Sequence, residues 1–290
     1  MELPQRPNNN RGRARKCLCI GLPMLVVALL LVIIVPTAVI LKKDHDGSIG
    51  LPATVLLPLY LYPTDDAWEP LYKAIEKAPK LNFTVIVNPN NGPGGMTDLM
   101  HFKPALQKPA AFPNVQTIGY VPTENGTRAT TAVQRDVLQY SVWSNMPLNC
   151  TLNGIFFDET PYVRGNQTED YLTIINGWAK GANGIESPKT IIHKPAGIPD
   201  YGSPLDAVTV FEDPYSALGS FLNANAPASP ARGLCSFMIN SVPESASMTD
   251  LVKALSKRGK YLFATDLAET DGKSFGGRWE EFVDAMEETA

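Results

Sequence analysis

Residues 152–158, LNGIFFD, form a mostly apolar run that ends in an acid and is followed at once by a second acid, Glu159. Such a run is typical of a strand buried on both faces of a parallel sheet. Seven more runs of the same kind lie on either side of it in the chain. They are VLLPLYLY from Val55, FTVIVN from Phe83, VQTIGYV from Val115, TIIHK from Thr190, AVTVFE from Ala207, LCSFMIN from Leu234 and YLFATDL from Tyr261.

Amphipathic stretches with helical periodicity lie between most of these strands. In residues 67–78, AWEPLYKAIEKA, apolar residues recur at the i, i+3, i+4 and i+7 positions of a helix. Similar patterns begin at Thr131, Glu169, Tyr215, Met248 and Arg278. Residues 195–205 contain too much Pro and Gly for a helix, so we predict a loop between the fifth and sixth strands.

The number and spacing of these units predict an α/β fold. Eight strand-and-helix units within residues 53–288 have the size and rhythm of a (β/α)8 TIM-like barrel. A doubly wound open sheet is the alternative. The strand count favours the barrel, and no Gly-rich dinucleotide fingerprint follows the first strand.

A single N-terminal transmembrane helix is predicted before the barrel. Residues 17–41 carry no charge, and a helix of that length spans roughly 37 Å, enough to cross a bilayer. Five basic residues precede this run and two follow it closely, so the positive-inside bias places residues 1–16 in the cytoplasm. We therefore expect a type II membrane protein with a signal anchor at 17–41, a linker at 42–52 and an extracellular or luminal barrel. A cleaved signal peptide, which would leave a secreted domain, is the alternative.

Four N-x-[ST] sequons agree with a location outside the cytoplasm. The predicted glycosylation sites are Asn82, Asn125, Asn149 and Asn166. Asn82 and Asn149 precede strands and are expected at the bottom of the barrel, whereas the other two follow strands and are expected nearer the cleft. Cys150 and Cys235 either form a disulfide in an oxidising compartment or remain buried thiols.

The composition excludes several classes of protein. A chain of 290 residues that is 44% hydrophobic and 9% aromatic is not disordered. Residues 51–290 hold 18 basic and 26 acidic residues, a balance that repels nucleic acid and suits a neutral or cationic substrate. Only three histidines are present, and no zinc-ligand spacing, phosphate loop or serine nucleophile elbow is found. We expect no metal and no cofactor.

Three acids at strand ends are the candidate catalytic residues, because the chemistry of parallel barrels sits at the carboxyl ends of the strands. Asp158 and Glu159 end the fourth strand, and Glu212 ends the sixth. Thr160-Pro161 cannot begin a helix at once, so helix capping does not explain the tandem acids. Neighbouring strand residues point to opposite faces, so both acids reach one site only if the chain bends there.

Aromatic and polar residues near other strand ends are predicted to bind substrate. They are Tyr60, Tyr62, Asn88, Asn90, Tyr120 and Asp266. Carboxylates above tyrosines and asparagines indicate sugar hydrolysis, in which one acid protonates the glycosidic oxygen and a second carboxylate attacks the anomeric carbon or activates water. An apolar wall around Phe211 would favour Glu212 as the general acid. The choice between retaining and inverting chemistry stays open.

The segments LLPLYLYP, AWEPLYKAI, FTVIVNPNNGPG, NVQTIGYVPT and GIFFDET, in this order, resemble the spherulin-4-like proteins of spherulation-specific family 4. The resemblance runs from about residue 56 to about residue 267 and implies a (β/α)8 barrel of the glycoside hydrolase family 135 type. It implies an endo-acting enzyme that cuts α-1,4-linked N-acetylgalactosamine in galactosaminogalactan, an amino-sugar polysaccharide. It also implies that the family's Asp-Glu pair is Asp158 and Glu159, and that its third acid is Glu212.

The chain departs from the family pattern at two places. The family usually has an Asn-Pro-Gly-like turn after the fifth strand, and residues 193–197 read HKPAG instead; an aromatic residue is replaced around Glu124-Asn125. Lys194 is expected near the cleft, where it would reshape a sugar subsite or pair with an acid. The alternative functions are an endo-galactosaminidase acting on deacetylated polymer, a carbohydrate-binding protein without turnover, and a cell-wall structural protein. The sequence does not predict an oligomeric state.

Overall fold

The computed structural model describes residues 50–145, 151–199, 206–224, 231–270 and 272–290. These residues form eight parallel strands that close into a barrel in chain order, with β1 paired to β8. The strands are β1 Thr54–Leu59, β2 Asn82–Val87, β3 Val115–Pro122, β4 Leu152–Thr160, β5 Ile185–Pro195, β6 Ala207–Pro214, β7 Cys235–Asn240 and β8 Tyr261–Ala264. The predicted barrel is confirmed, and the open-sheet alternative is wrong.

Seven α-helices are found within the described residues. They are α1 Glu69–Lys77, α2 Met96–Ala110, α3 Thr130–Asn145, α4 Asn166–Gly181, α5 Tyr215–Ala224, α6 Met248–Ser256 and α7 Trp279–Glu287. As predicted, no helix occurs between β5 and β6 in the part of that connection that the structure describes. The sequence patterns did not identify α2, because Pro104 and Pro109 interrupt its periodicity. Its start is marked by Asp98, whose carboxylate accepts a hydrogen bond from the backbone N–H of Gly95 at 2.7 Å.

Burial on both faces of the strands explains their continuous apolar sequences. All six residues of β1 and all six of β7 are buried. The residues that face out of the barrel pack on the helices. Phe211 of β6, for example, contacts Phe221 of α5 with ring centroids 4.8 Å apart.

The carboxyl end of β3, which carries Tyr120, is held in place by Tyr140 of α3. The phenol of Tyr140 donates hydrogen bonds to the backbone oxygens of Tyr120 at 3.0 Å and Val87 at 3.3 Å. Its ring lies directly on Gly119, where an added Cβ would be only 2.6 Å from the nearest ring carbon. Glycine at this position therefore allows α3 to pack closely on the strand that positions Tyr120.

The predicted cytoplasmic tail and transmembrane anchor lie outside the described residues, as do Asn149, Cys150 and all of the predicted linker except residues 50–52. Among the helices of the described segments, none has both the length and the apolar character needed to cross a bilayer. Cys235 is buried on β7, and burial raises the pKa of its thiol to about 11. Because Cys150 is not described, its pairing with Cys235 stays a prediction.

Candidate active site

A cavity of about 440 Å³ opens at the carboxyl ends of β4, β5 and β6. Asp158, Glu159 and Glu212 all line it, together with Lys194. The three acids predicted to be catalytic therefore share one site. Other lining residues include Asn125 and Gly197 from the connections after β3 and β5, Asp213 of β6 and Phe221 of α5.

Asp158 sits in the wall of the barrel between β3 and β5. It is in register with Pro122 on one side and Lys194 on the other, and its side chain is 10% exposed. The phenol of Tyr120 donates a 2.8 Å hydrogen bond to Asp158 Oδ2, and Lys194 Nζ lies 3.1 Å from Oδ1. The carboxylate is therefore fixed by a donor on each oxygen.

The chain bends at Glu159, as the sequence predicted. The register between β4 and β5 shifts between Asp158 and Thr160, and Glu159 has a positive φ of 51°. Thr123 Oγ1 lies 3.0 Å from the backbone oxygen of Asp158 and 2.8 Å from that of Glu159, so its single hydroxyl proton is shared between two acceptors at the bend. Because of this bend, two adjacent residues line the same cavity although an unbroken strand would point them to opposite faces. A positive φ in a non-glycine residue is a strain often found at functional sites.

Lys194 connects the acids of β4 and β6. Its Nζ lies 3.1 Å from Asp158 Oδ1 and 2.7 Å from Glu212 Oε2. Because both distances meet at one nitrogen, these two carboxylate oxygens are no more than about 6 Å apart, a range in which like charges interact strongly. The other oxygen of Glu212 accepts a hydrogen bond from Thr270 Oγ1.

The surroundings of Glu212 differ from the apolar wall expected from the sequence. An ammonium group, from Lys194, and a hydroxyl group, from Thr270, contact its carboxylate. Burial lowers the pKa of Lys194, but its contacts with Asp158 and Glu212 raise the pKa by more, so the net pKa is above the ordinary value. The ammonium is therefore present throughout the neutral range.

Two of the predicted substrate-binding tyrosines lie beside the acids. The rings of Tyr60 and Tyr120 meet edge to face, with centroids 5.3 Å apart. Burial, and next the charge of Asp158, raise the pKa of both phenols, so they remain neutral hydrogen-bond donors. Tyr62 instead packs on α2, where its ring contacts Phe102 at 5.4 Å.

The remaining predicted substrate-binding residues hold loops at the barrel rim. Asn88 Oδ1 accepts a hydrogen bond from the backbone N–H of Gly92 at 2.9 Å, which closes the turn after β2. The exposed Asn90 lies in the same turn. The carboxylate of Asp266 accepts hydrogen bonds from the backbone N–H groups of Gly277 at 3.1 Å and Arg278 at 3.3 Å, ahead of α7. Contacts of these three residues with substrate stay predictions.

The sequence did not identify Thr270 as part of the site. It lies in the loop after β8, 58 residues from Glu212 along the chain, in a segment without a motif. Lys194 was noted only as a departure from the family pattern, and the structure confirms that it pairs with acids. Within the described residues, no group of three or more His, Cys, Asp or Glu side chains is arranged to hold a metal ion.

The three described sequon asparagines are all exposed. Asn82 is the first residue of β2 and lies at the amino ends of the strands, opposite the cavity, as expected. Asn125 and Asn166 follow β3 and β4, and Asn125 lines the cavity itself. A glycan on Asn125 would therefore stand at the mouth of the site.

The chain is similar in sequence and fold to several known proteins. The family model described as spherulation-specific family 4 matches residues 54–286. The crystal structure of Sph3 from Aspergillus clavatus in complex with GalNAc is similar, with a TM-score of 0.75 and 36% sequence identity over 82% of this chain and 98% of that chain. Spherulin-4 of Physarum polycephalum is 30% identical over 169 residues, which are 58% of this chain but only 47% of spherulin-4. The match thus spans about half the length of that protein. The chain belongs to spherulation-specific family 4 and is a spherulin-4-like protein of the glycoside hydrolase family 135 type.

Proposed function

We propose that the protein is a glycoside hydrolase that cleaves within N-acetylgalactosamine-containing polysaccharide of the galactosaminogalactan type. The observation that supports this most directly is the convergence of Asp158, Glu159 and Glu212 on one cavity at the carboxyl end of the barrel. The similarity to Sph3, a protein crystallised with GalNAc, supports the choice of sugar.

We propose a retaining mechanism, in which one carboxylate forms a covalent glycosyl-enzyme intermediate. Asp158 acts as the nucleophile, because Tyr120 and Lys194 each contact one of its oxygens and hold the carboxylate in place at the cavity. It attacks the anomeric carbon while the glycosidic oxygen takes a proton and leaves, and water later hydrolyses the glycosyl-enzyme ester.

Glu159 is the proton donor in this proposal. It is exposed and lines the cavity, and no lysine or arginine contacts its carboxylate within the described segments. Glu212, in contrast, is held by Lys194 and Thr270 and contributes negative charge beside the developing oxocarbenium ion. The sequence favoured Glu212 as the general acid because of an apolar wall around Phe211, whereas this proposal gives that role to Glu159.

The test is incubation of the purified full chain with N-acetylated and with deacetylated galactosamine polymers, followed by mass spectrometry of the products. We expect a ladder of oligosaccharides from the acetylated polymer, and none with Asp158→Asn. Fragments from the deacetylated polymer alone would move the assignment to an endo-galactosaminidase. Binding without fragments from either polymer would support a carbohydrate-binding protein and contradict the proposal.

We further propose that the barrel is displayed outside the cytoplasm by the N-terminal segment. The exposure of Asn82, Asn125 and Asn166 supports this, because glycosylation requires accessible sequons. Enzymatic removal of N-glycans should lower the apparent mass of the protein, and external protease should remove the barrel from intact cells. An unglycosylated protein that is fully protected from protease would contradict this location.

A further inference from the structure

Lys194 lies between the acids of two neighbouring strands and contacts both of them. The strand alternates at this point: His193 points outward to Asn176 of α4, and Lys194 points into the cavity. Its side chain is 22% exposed, and its ammonium contacts one carboxylate on each neighbouring strand. The contact is therefore built into the barrel wall and is not a chance pairing of mobile surface groups.

Without this cation, the two acids would destabilise each other. Asp158 and Glu212 have side chains only 10% and 26% exposed, so water screens their repulsion weakly. Like charges this close repel each other, and the repulsion disfavours having both carboxylates charged in one fixed arrangement. The ammonium of Lys194 offsets this repulsion and fixes the distance between the two groups.

We propose that Lys194 is a positioning residue that holds Asp158 and Glu212 at a fixed separation with both carboxylates ionised. As a result, the nucleophile is ready for attack in the free enzyme, and the proton needed by the leaving group comes from a third acid, Glu159. This inference rests on the proposed function for its catalytic consequence, but the charge state of the pair can be tested without turnover.

The other titratable groups near Lys194 do not supply a positive charge between Asp158 and Glu212. Tyr60, directly after β1, and Tyr120, from β3, have raised pKa values and stay neutral. The remaining charged groups that line the cavity are the acids Glu159 and Asp213, which add negative charge. Among the described residues that line the cavity, Lys194 is the only basic one.

The first test compares the pH dependence of kcat/KM for the full chain and for Lys194→Gln and Lys194→Arg. An opposite charge within about 4–6 Å lowers the pKa of a carboxyl group by roughly 1–3 units. Removal of that charge in Lys194→Gln should therefore shift the acidic limb of the pH profile upward by at least about one pH unit. Lys194→Arg retains the cation and should keep the acidic limb near that of the parent. Lys253→Gln is the matched control, because it removes a 3.1 Å ion pair with Glu288 on the helical surface. An unshifted profile for an active Lys194→Gln enzyme would overturn the proposal.

The second test measures thermal unfolding from pH 4 to pH 8 and needs no activity. Lys194→Gln should be less stable than the parent at pH 7, and the difference should shrink towards pH 4 as the acids become protonated. Lys194→Met serves as a second variant if the glutamine variant does not fold. A pH-independent difference in Tm would overturn the proposal. If the parent chain hydrolyses no polymer, the proposed function fails while this measurement still decides the role of Lys194.

Discussion

Tyr120 on β3 donates a 2.8 Å hydrogen bond to Asp158 on the neighbouring strand β4, and both side chains are buried. Tyr120→Phe keeps the ring, and with it the packing on Tyr60 and Phe156, but removes the donor. A hydrogen bond to a charged group contributes about 1.5–3 kcal/mol, so kcat/KM should fall about 10- to 150-fold with little loss of Tm. Tyr72→Phe, which removes a bond to the backbone oxygen of Ala105 far from the cavity, is the control. Activity within twofold of the parent would show that this hydrogen bond does not serve catalysis.

The role of Asp158 can be separated from that of the other acids by chemical rescue. Asp158→Ala should lower turnover by at least about 100-fold, because the covalent step is lost. Added azide should restore part of the activity by attacking the anomeric carbon from the vacated side, giving a glycosyl azide of inverted configuration. NMR of the product decides the matter, since an azide of retained configuration would assign Asp158 to acid–base catalysis instead.

Glu159 and Glu212 should respond differently to the quality of the leaving group. A missing proton donor matters little when the leaving group is already a weak base, so Glu159→Gln should cleave activated aryl glycosides far better than polymer. Glu212→Gln should be impaired on both substrates, because it loses charge stabilisation that both reactions need. The opposite pattern of kcat values would return the acid role to Glu212.

The strands could be predicted from sequence because burial on both faces leaves a strong apolar signal. Where that signal is absent, the prediction was less complete. The sequence predicted that β5 begins at Thr190, but the strand begins at Ile185. Its first part was missed because residues 186–188 are exposed and are either polar or Pro. The sequence also located the three acids, since each follows an apolar strand whose end is easy to recognise.

The contacts among site residues could not be predicted in the same way. Lys194 and Glu212 lie on neighbouring strands, and the length of the loop between these strands does not indicate which of their residues stand side by side. Thr270 lies in a loop whose sequence contains no recognisable motif. These neighbours of Glu212 are distant along the chain, so the local sequence around Phe211 indicated an apolar environment for it. The local sequence indicates where a strand ends. Which charged residues become neighbours is decided only when the strands assemble into the closed barrel.

Tyr162 provides a candidate stacking surface at the rim of the cavity. Its side chain is 39% exposed, and its ring lies over Gly197, where an added Cβ would be 3.1 Å from the ring. An aromatic contact contributes about 0.5–1.5 kcal/mol, so Tyr162→Ala should raise KM for polymer about 2- to 13-fold and leave kcat nearly unchanged. The exposed neighbour Val163 gives the control Val163→Ala. Equal KM values for the parent and Tyr162→Ala would exclude a sugar contact at this ring.

His193 should make the stability of the barrel depend on pH. It is fully buried, its Nε2 lies 2.8 Å from Asn176 Oδ1, and its Nδ1 has no hydrogen-bond partner among the residues that the structure describes. Burial lowers the pKa of His193 to about 3, against the opposing effect of the charge of Asp206. The unfolded chain, with a histidine pKa of about 6.5, therefore binds a proton that the folded chain does not, at every pH between these two values.

Stability from His193 is complete above pH 6.5 and is lost as the pH falls towards 3, by about 1.4 kcal/mol for each pH unit. His193→Gln removes this titration but loses packing against Phe157, so it should be less stable than the parent at pH 8. The difference in unfolding free energy between the two proteins should then shrink as the pH is lowered through 6 and 5. Only the parent is destabilised by protonation of His193 in the unfolded chain. Denaturant unfolding at a series of pH values measures this difference, and His101→Gln, at an exposed position on α2, is the control. Parallel stability curves for the parent and His193→Gln between pH 6.5 and pH 4 would show that the buried imidazole does not titrate in this way.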